Sequence, residues 1–598
     1  MDERQTMNTL NKLLRLYIHL AFLVLIQFSL GYSDGTAHPS YVVSKVPLNT
    51  TFRTMGMAFL SDGRMVVATT FQGTGEITPP DTGSAIYLIS GISTPNPTVV
   101  KIADMFREPS GVVVVNDKIF VPDRDAFYSI PSNEPTANPS TNKTKIVDWP
   151  FGANWHQFVF TPFYKDGFFY APYSGTISRQ ANSNAPATTE YSGAFLKWDM
   201  EGKKFEKVAG GLRSPNGLGM NDDGDMFVTD NQGSYLPGCT LMHMKPGKFY
   251  GHHQSNPTPN FAEAWPYQPP AVWIPYGSSG SFSTTQPFYL KSGQFKGQWI
   301  AGDANGQGMM RFALEKVKGE YQGAAFRFTK ATDDVAINRI IAGPDGAMYL
   351  GTIDNYGNWP SGDAKPMYIL TAKATPTVFE MQSISLLKDG LEITFTEPVD
   401  KSTLMDNAIT LWQSHRNRDG QYGCCVDHSG SLNVLKLEAS EDGKRVYVKA
   451  DNIQAMDYVI NVTLKSIKSA AGKTPWDDWC EYTVNYLSDK IWDAHAVTAI
   501  VNTKPVQGRK KEFNYSLNAD GSIRISIFEL SSFHIVLRDL KGQIIFDKKG
   551  YGPSSFMLGK VEQGRPLILT ISQSAQNFSK IIVGAVSGEA IHNLSASE

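Results

Sequence analysis

Cysteine is scarce in this chain: four among 598 residues, Cys239, Cys424, Cys425 and Cys480. No Cys-x-x-Cys-His run occurs, which excludes covalent haem attachment. An excess of charge is missing too. Lys and Arg number 55 against 57 Asp and Glu, for a net charge of -2. That balance speaks against a nucleic-acid partner and against an acidic disordered tract. Helix signals are few, and no apolar run after Leu30 reaches the length of a membrane span. The chain instead carries 52 Gly, 34 Pro and 12% aromatic residues, the composition of a turn-rich all-β protein. Its 598 residues exceed a single domain on size grounds.

The one long apolar run lies near the start. Lys12 and Arg15 precede Leu16 through Leu30, and a small-x-small site follows at Gly31-Tyr32-Ser33. This pattern predicts a signal peptide over residues 1–33 and a secreted or cell-surface protein. An uncleaved anchor is the alternative. Export permits disulfides, so one of the adjacent Cys424 and Cys425 is a candidate to pair with Cys480; free thiols are the other reading.

Six segments then repeat one pattern: a turn, an apolar or aromatic run, and a polar residue at a fixed offset. The turns start at Asp62, Asn116, Asp166, Asp223, Lys296 and Asp345, with gaps of 54, 50, 57, 73 and 49 residues. Such a period predicts a six-bladed β-propeller over residues 40–373. Seven residues after each turn start stand Thr69, Asp123, Tyr173, Asp230, Asp303 and Thr352. The register predicts a polar ring at one mouth of the central channel. The long fourth gap holds a Gly-, Tyr- and His-rich insertion, Gln232 to Pro287, and long loops on rigid scaffolds tend to carry function. Its His243, His252 and His253 read as loop polarity before metal ligands.

Beyond the repeats, Leu391, Ile393 and Phe395 alternate with polar residues. A β-sandwich is expected over 375–488, a linker over 489–509, and another β-sandwich over 510–598, where Ile523, Ile525 and Ile527 alternate. The first looks like a bacterial immunoglobulin-like sandwich. Around Leu537-Arg538-Asp539-Leu540-Lys541-Gly542-Gln543 the second resembles the C-terminal sorting domains of type IX secretion substrates, except for the tail through Glu598. That likeness implies delivery to, and attachment at, the cell surface.

The densest local signal is Gly211-Leu212-Arg213-Ser214-Pro215-Asn216-Gly217-Leu218, then Asp223 to Asn231, then Lys245-Pro246-Gly247-Lys248-Phe249-Tyr250-Gly251. Together these resemble the soluble glucose and sorbosone dehydrogenase family, six-bladed propellers that bind pyrroloquinoline quinone at the channel mouth. The likeness covers the propeller only, and Ser214 stands where the family usually carries Asn. It implies that Arg213 contacts the quinone, with Asn216, Asp230, Asn231 and Arg339 beside it. It also implies a calcium ion, for which Asp230, Asp303 and Asn305 supply oxygen. His156, in Asn154-Trp155-His156-Gln157-Phe158, is the implied base that takes the sugar hydroxyl proton, though its spacing from the next strand departs from the family's. A guanidinium suits the first role because it is a planar fork of constant charge. An imidazole suits the second because its pKa lies near working pH. Each residue has a plainer alternative: an inter-blade salt bridge for Arg213, a bond to a neighbouring blade for His156, turn capping for the Asp and Asn residues. Trp155, Tyr173, Tyr235, Tyr276, Tyr356 and Trp359 are candidates to stack on sugar rings or to fill blade interfaces.

Three functions fit this pattern. The first is an exported quinone-dependent sugar or aldose dehydrogenase that passes electrons to an external acceptor. The second is a polysaccharide-active hydrolase or lyase on the same scaffold. The third is a non-catalytic carbohydrate-binding surface protein. Fold alone does not separate them.

Overall fold

Each of the six marked turns joins two strands of a hairpin in a computed structural model of the chain. The reason is local. Residues such as Asn116, Asp117 and Asp166 take left-handed backbone at φ 49°, 59° and 51°, which Asn and Asp tolerate better than other residues with a Cβ. The structure describes residues 38–71, 80–149, 158–175, 190–253, 261–277, 280–306, 308–329, 336–354, 363–373, 378–418 and 426–495, and strands between 513 and 583. His156, Trp155, Tyr356, Trp359, Cys424, Cys425 and the apolar run at 16–30 lie outside the described residues.

The hairpins extend into six antiparallel blades of four strands each. Blade 1 runs Thr54–Phe59, Met65–Thr69, Ala85–Ser90 and Thr98–Ala103. Blade 2 runs Val113–Val115, Lys118–Pro122, Ala126–Ile130 and Thr144–Asp148. Blade 3 is Phe163–Lys165, Phe168–Pro172, Ala194–Asp199 and Phe205–Gly210. Blade 4 is Leu218–Met220, Met226–Asp230, Cys239–His243 and Val272–Ile274. Blade 5 is Phe288–Tyr289, Trp299–Gly302, Met309–Val317 and Glu320–Arg327. Blade 6 takes Ala336–Ala342, Met348–Ile353 and Tyr368–Ala372, and its outer strand comes from the other end of the propeller sequence, Tyr41–Lys45. That exchange closes the ring, and the innermost strands of blades 6 and 1 lie side by side.

Apolar residues alternate along the strands so that each blade packs on the next. Val66, Ile86 and Leu88 of blade 1 meet Ile119 and Val121 of blade 2 in one cluster, and each such side chain contributes about 1.5–3 kcal/mol when fully buried. Close approach sets limits near the axis: a Cβ on Gly111 would lie 2.6 Å from Thr161 Cα of the following blade.

The next segment does not stand apart from the propeller. Strand Trp479–Val484 pairs antiparallel with Glu320–Arg327, so blade 5 continues through Tyr458–Leu464 and Ile409–Arg416 to Val426–Leu432 as one eight-stranded sheet. A four-stranded sheet, Met381–Leu387, Gly390–Phe395, Arg445–Ala450 and Val434–Ala439, completes a β-sandwich with it. Phe326 and Ala324 of blade 5 share that sandwich's core with Ile393, Val448 and Val462. Cys480 sits in the same core as a free, buried thiol with Sγ 3.9 Å from Met381 Sδ. Of the two readings, the free thiol is the one found at Cys480, whose side chain packs in the core between the sheets. Cys239 is free and buried as well.

Residues 498–598 form a separate unit, a second β-sandwich of three- and four-stranded sheets. Among the described residues, no helix is long and apolar enough to cross a membrane.

Candidate functional site

The polar residues seven positions after each turn stand at the ends of second strands, and they are buried rather than lining an open mouth. Three of them perform the same local task. Asp230 accepts N–H donors from Arg213 at 2.7 Å, Ser214 at 2.6 Å and Asn231 at 2.8 Å. Asp123 accepts N–H donors from Arg107 at 2.9 Å and Glu108 at 2.8 Å. Asp303 accepts from the N–H groups of Phe282, Ser283 and Asn305 and from the Ser281 hydroxyl. Each carboxylate thus fastens the loop entering its blade to the end of that blade's second strand. Burial pushes the Asp230 carboxyl up to about 6, against the lowering effect of its N–H donors and of Arg213. Burial pushes Asp123 up to about 7, again against backbone donors.

This bonding bears on the calcium ligands expected from sequence. Both oxygens of Asp230 and both oxygens of Asp303 are occupied by hydrogen-bond donors, and Asn305 is tied to Asp303 through its backbone. The fold gives Asp230, Asp303 and the backbone of Asn305 the turn-capping role.

Arg339 is fully buried, and every nitrogen is committed to a neutral protein oxygen. Nε donates to the Met55 carbonyl at 2.7 Å, and one terminal nitrogen to Ser110 O at 3.1 Å. The other terminal nitrogen donates to Asn216 Oδ1 at 2.9 Å and Asn338 Oδ1 at 2.8 Å. Its guanidinium stands 5.9 Å from the centre of the Phe160 ring. One side chain thus ties together blades 1, 2, 4 and 6 beside blade 3, which places it across the propeller axis. Burial without a counter-charge pushes its pKa down to about 9. Arg339 and Asn216 thus act as an axial tie between blades, bonded to neutral oxygens of the fold.

Arg213 is itself buried. Its aliphatic stem lies on Gly233, where a Cβ would stand 2.4 Å from Arg213 Cδ. Its carbonyl accepts the Gly175 N–H at 2.8 Å, and the Asp230 clamp fixes its N–H. The three pieces of the dehydrogenase-like run fold around it as one bonded unit. His252 N–H donates to Gly211 O at 2.9 Å, and Tyr250 N–H to Gly210 O at 2.9 Å. Next to it, Asn231 Nδ2 donates to Ser283 Oγ at 2.8 Å. Gln232 Nε2 donates to the hydroxyl of the half-exposed Tyr276 at 3.3 Å. Tyr173 is fully buried in a blade interface, so its ring is no platform, and Tyr235 packs with its centroid 4.2 Å from that of His253. His243 stacks on Phe227 with its pKa lowered by burial, and His252 Nδ1 donates to Ser234 O at 3.2 Å.

Sequence reading missed a repeat that the structure exposes. Arg107-Glu108-Pro109-Ser110-Gly111 and Arg213-Ser214-Pro215-Asn216-Gly217 are the same entry loop in blades 2 and 4, each clamped by an Asp. Where blade 4 has Ser214 and Asn231, blade 2 has Glu108 and Arg124, a fully buried ion pair under the Phe158 ring at 4.7 Å. The shared Arg-x-Pro-x-Gly spacing was the available signal.

No protein-family profile and no curated protein matches the chain. Solved propellers resemble it. The PQQ-bound aldose sugar dehydrogenase of Streptomyces coelicolor is 13% identical over 56% of this chain and 100% of its own, with TM-score 0.40. The holo PQQ domain of pyranose dehydrogenase from Coprinopsis cinerea is 11% identical over 56% and 97%, with TM-score 0.40. A luciferin-regenerating enzyme is 12% identical over 56% and 96%, with TM-score 0.38. Neighbours of such different activities carry no activity over to this chain.

Proposed function

We propose that the chain is an exported oxidoreductase of the quinone-dependent sugar-dehydrogenase type, acting on a sugar or aldose at the blade end that carries Arg213. One observation supports this reading most. The separated segments Gly211–Leu218, Met226–Asp230 and Phe249–Gly251 meet around Arg213 and hold its backbone from both sides. Arg213, with its backbone clamped, lies in the chain segment next to the buried Asn231 and Gln232 and the half-exposed Tyr276, and these residue types suit a flat, carboxylate-bearing ligand. Pyrroloquinoline quinone, when bound, would supply the hydride acceptor for the sugar carbon. Arg213 would orient the ligand's oxygens, and His156 would take the hydroxyl proton. Electrons then leave to an external acceptor. The signal-like start and the sorting-like last unit support a secreted or surface-attached protein.

A second reading draws on the axial tie and the capped carboxylates. With Arg339, Asn216, Asp230 and Asp303 held by the fold, Arg213 and Tyr276 suffice to grip an acidic sugar directly, as in a polysaccharide-active or carbohydrate-binding propeller.

The test is titration of the purified full chain with pyrroloquinoline quinone, with and without calcium, followed by absorbance on adding aldoses. Saturable binding, bleaching by sugar and weaker binding in Arg213→Lys are expected. If no quinone binds while uronate oligosaccharides do, the oxidoreductase reading fails and the second takes its place.

A further inference from the structure

Three side chains meet far from Arg213 in sequence, at the edge strand of the first sandwich. His415 on Ile409–Arg416 is the cross-strand partner of Asp427 on Val426–Leu432. Its Nδ1 lies 2.8 Å from Asp427 Oδ1, and His428 Nδ1 lies 3.0 Å from the same oxygen. Consecutive residues of a regular strand point to opposite faces, so Asp427 and His428 are not expected to converge. Two departures bring them together. The pairing slips register between Gln413 and His415. His428 takes a left-handed backbone with φ 43°, a conformation that residues with a Cβ rarely adopt and that recurs at ligand sites. Asn417 Nδ2 donates to the other oxygen of Asp427 at 2.9 Å and fixes the carboxylate. On its far side the His415 ring packs 5.0 Å from Tyr458.

We propose that His415, Asp427 and His428 bind a divalent transition-metal ion, with zinc the best match. Their ligand atoms lie within 4.8 Å of one another, the one such trio among the described residues. Two imidazoles and a carboxylate are a borderline donor set that suits zinc, whereas calcium prefers oxygen alone. Both histidines already aim Nδ1 at one carboxylate oxygen, so an ion entering there replaces the protons they share with it. Asn417 then keeps the orienting bond that metal-bound carboxylates commonly have. His428 is mostly exposed, which gives the ion an entry path and leaves room for a water ligand. The bound ion ties the strands Ile409–Arg416 and Val426–Leu432 together.

The test uses the full chain, stripped with a chelator and titrated with zinc by calorimetry, with cobalt as a spectroscopic probe. One saturable zinc site is expected, together with a cobalt spectrum showing nitrogen ligation. His428→Ala should weaken binding by more than about tenfold, and Asn417→Ala by about tenfold, the low end for an outer-shell partner. Zinc should raise the melting temperature of the wild type but not of His428→Ala, and His253→Ala should behave as wild type. Because His428 is exposed, its replacement leaves the core intact, and an unchanged zinc-free melt verifies that. Absence of saturable zinc binding, or equal binding by His428→Ala, overturns the proposal.

Discussion

Single buried charges organise the propeller's axis, and each makes a separate prediction. Arg339 satisfies carbonyls or amides of four blades from one side chain. Arg339→Met removes those donors and leaves buried oxygens unpaired, a loss on the order of 3–5 kcal/mol. Arg339→Lys should recover little of it, because an ammonium cannot present a planar fork in five directions. Chemical denaturation of both variants checks this, and a near wild-type midpoint for the lysine variant would refute the axial tie. Asp123 predicts a pH effect. Its folded pKa is raised to about 7, so the folded state binds the proton more tightly than the unfolded chain does. The stabilisation is fully present below the ordinary carboxylate value of about 3.9 and is lost as pH rises through about 7. Asp123→Asn cannot titrate and loses one acceptor at every pH. Its melting temperature should therefore trail the wild type more at about pH 5 than at about pH 8. A gap that is flat, or that widens toward alkaline pH, would show that the carboxylate is held ionised throughout.

At the scale of strands and loops, the most consequential element is the closing strand Tyr41–Lys45, whose five residues pair with Tyr368–Ala372. It begins only a few residues after the expected cleavage site at Ser33. A chain started at residue 34 should melt as the full chain does. A chain started at residue 47 exposes the Tyr368–Ala372 edge and removes Tyr41 from the interface of blades 5 and 6, and open edges invite association. Loss of the cooperative melt, or a shift to larger species on gel filtration, is the expected outcome; an unchanged monomer would mean that the ring does not need this closure. Hairpins of this kind were legible in the sequence because the turn chemistry at Asp62, Asn116 and Asp345 demands unusual backbone, and because second strands end on one polar residue per blade. The role of those polar residues was only half legible. A carboxylate that caps a loop and a carboxylate that binds calcium present the same letter at the same offset. The bonding of Arg339 was illegible for a related reason: its partners come from Met55, Ser110 and Asn216, far along the chain.

For the whole molecule, the decisive feature is that propeller and first sandwich share a sheet. Pairing of Ala324, Ala325 and Phe326 with Tyr482, Glu481 and Cys480 spans more than 150 residues of sequence, and no local pattern announces it. The junction is also polar and buried. Gln322 donates to the Tyr482 hydroxyl at 2.9 Å and accepts from the N–H groups of Asn485 and Tyr486. Arg311, fully buried between the Phe295 and Phe326 rings at 4.0 and 4.3 Å, donates to Glu380, Met381 O and Gln382 O. Glu380 in turn meets His38 Nε2 at 2.7 Å. Cutting the chain at residue 373 would strip Arg311 of its carboxylate partner and leave His38 without its own. It would also expose the long Glu320–Arg327 edge with Phe326 beside it. Removing one member of a buried ion pair costs about 3–5 kcal/mol, a large share of the ~5–15 kcal/mol by which a domain is stable. A 34–373 fragment should therefore aggregate or melt well below the full chain, while a 34–495 fragment that keeps the sandwich should be a folded monomer. Light scattering with a circular dichroism melt separates the two. A soluble, monomeric 34–373 fragment with the melting temperature of the longer one would show that the shared sheet is incidental. The predicted failure is why quinone and sugar binding at Arg213 are to be measured on the full chain: there, a negative result reports on the site and not on a broken blade 5.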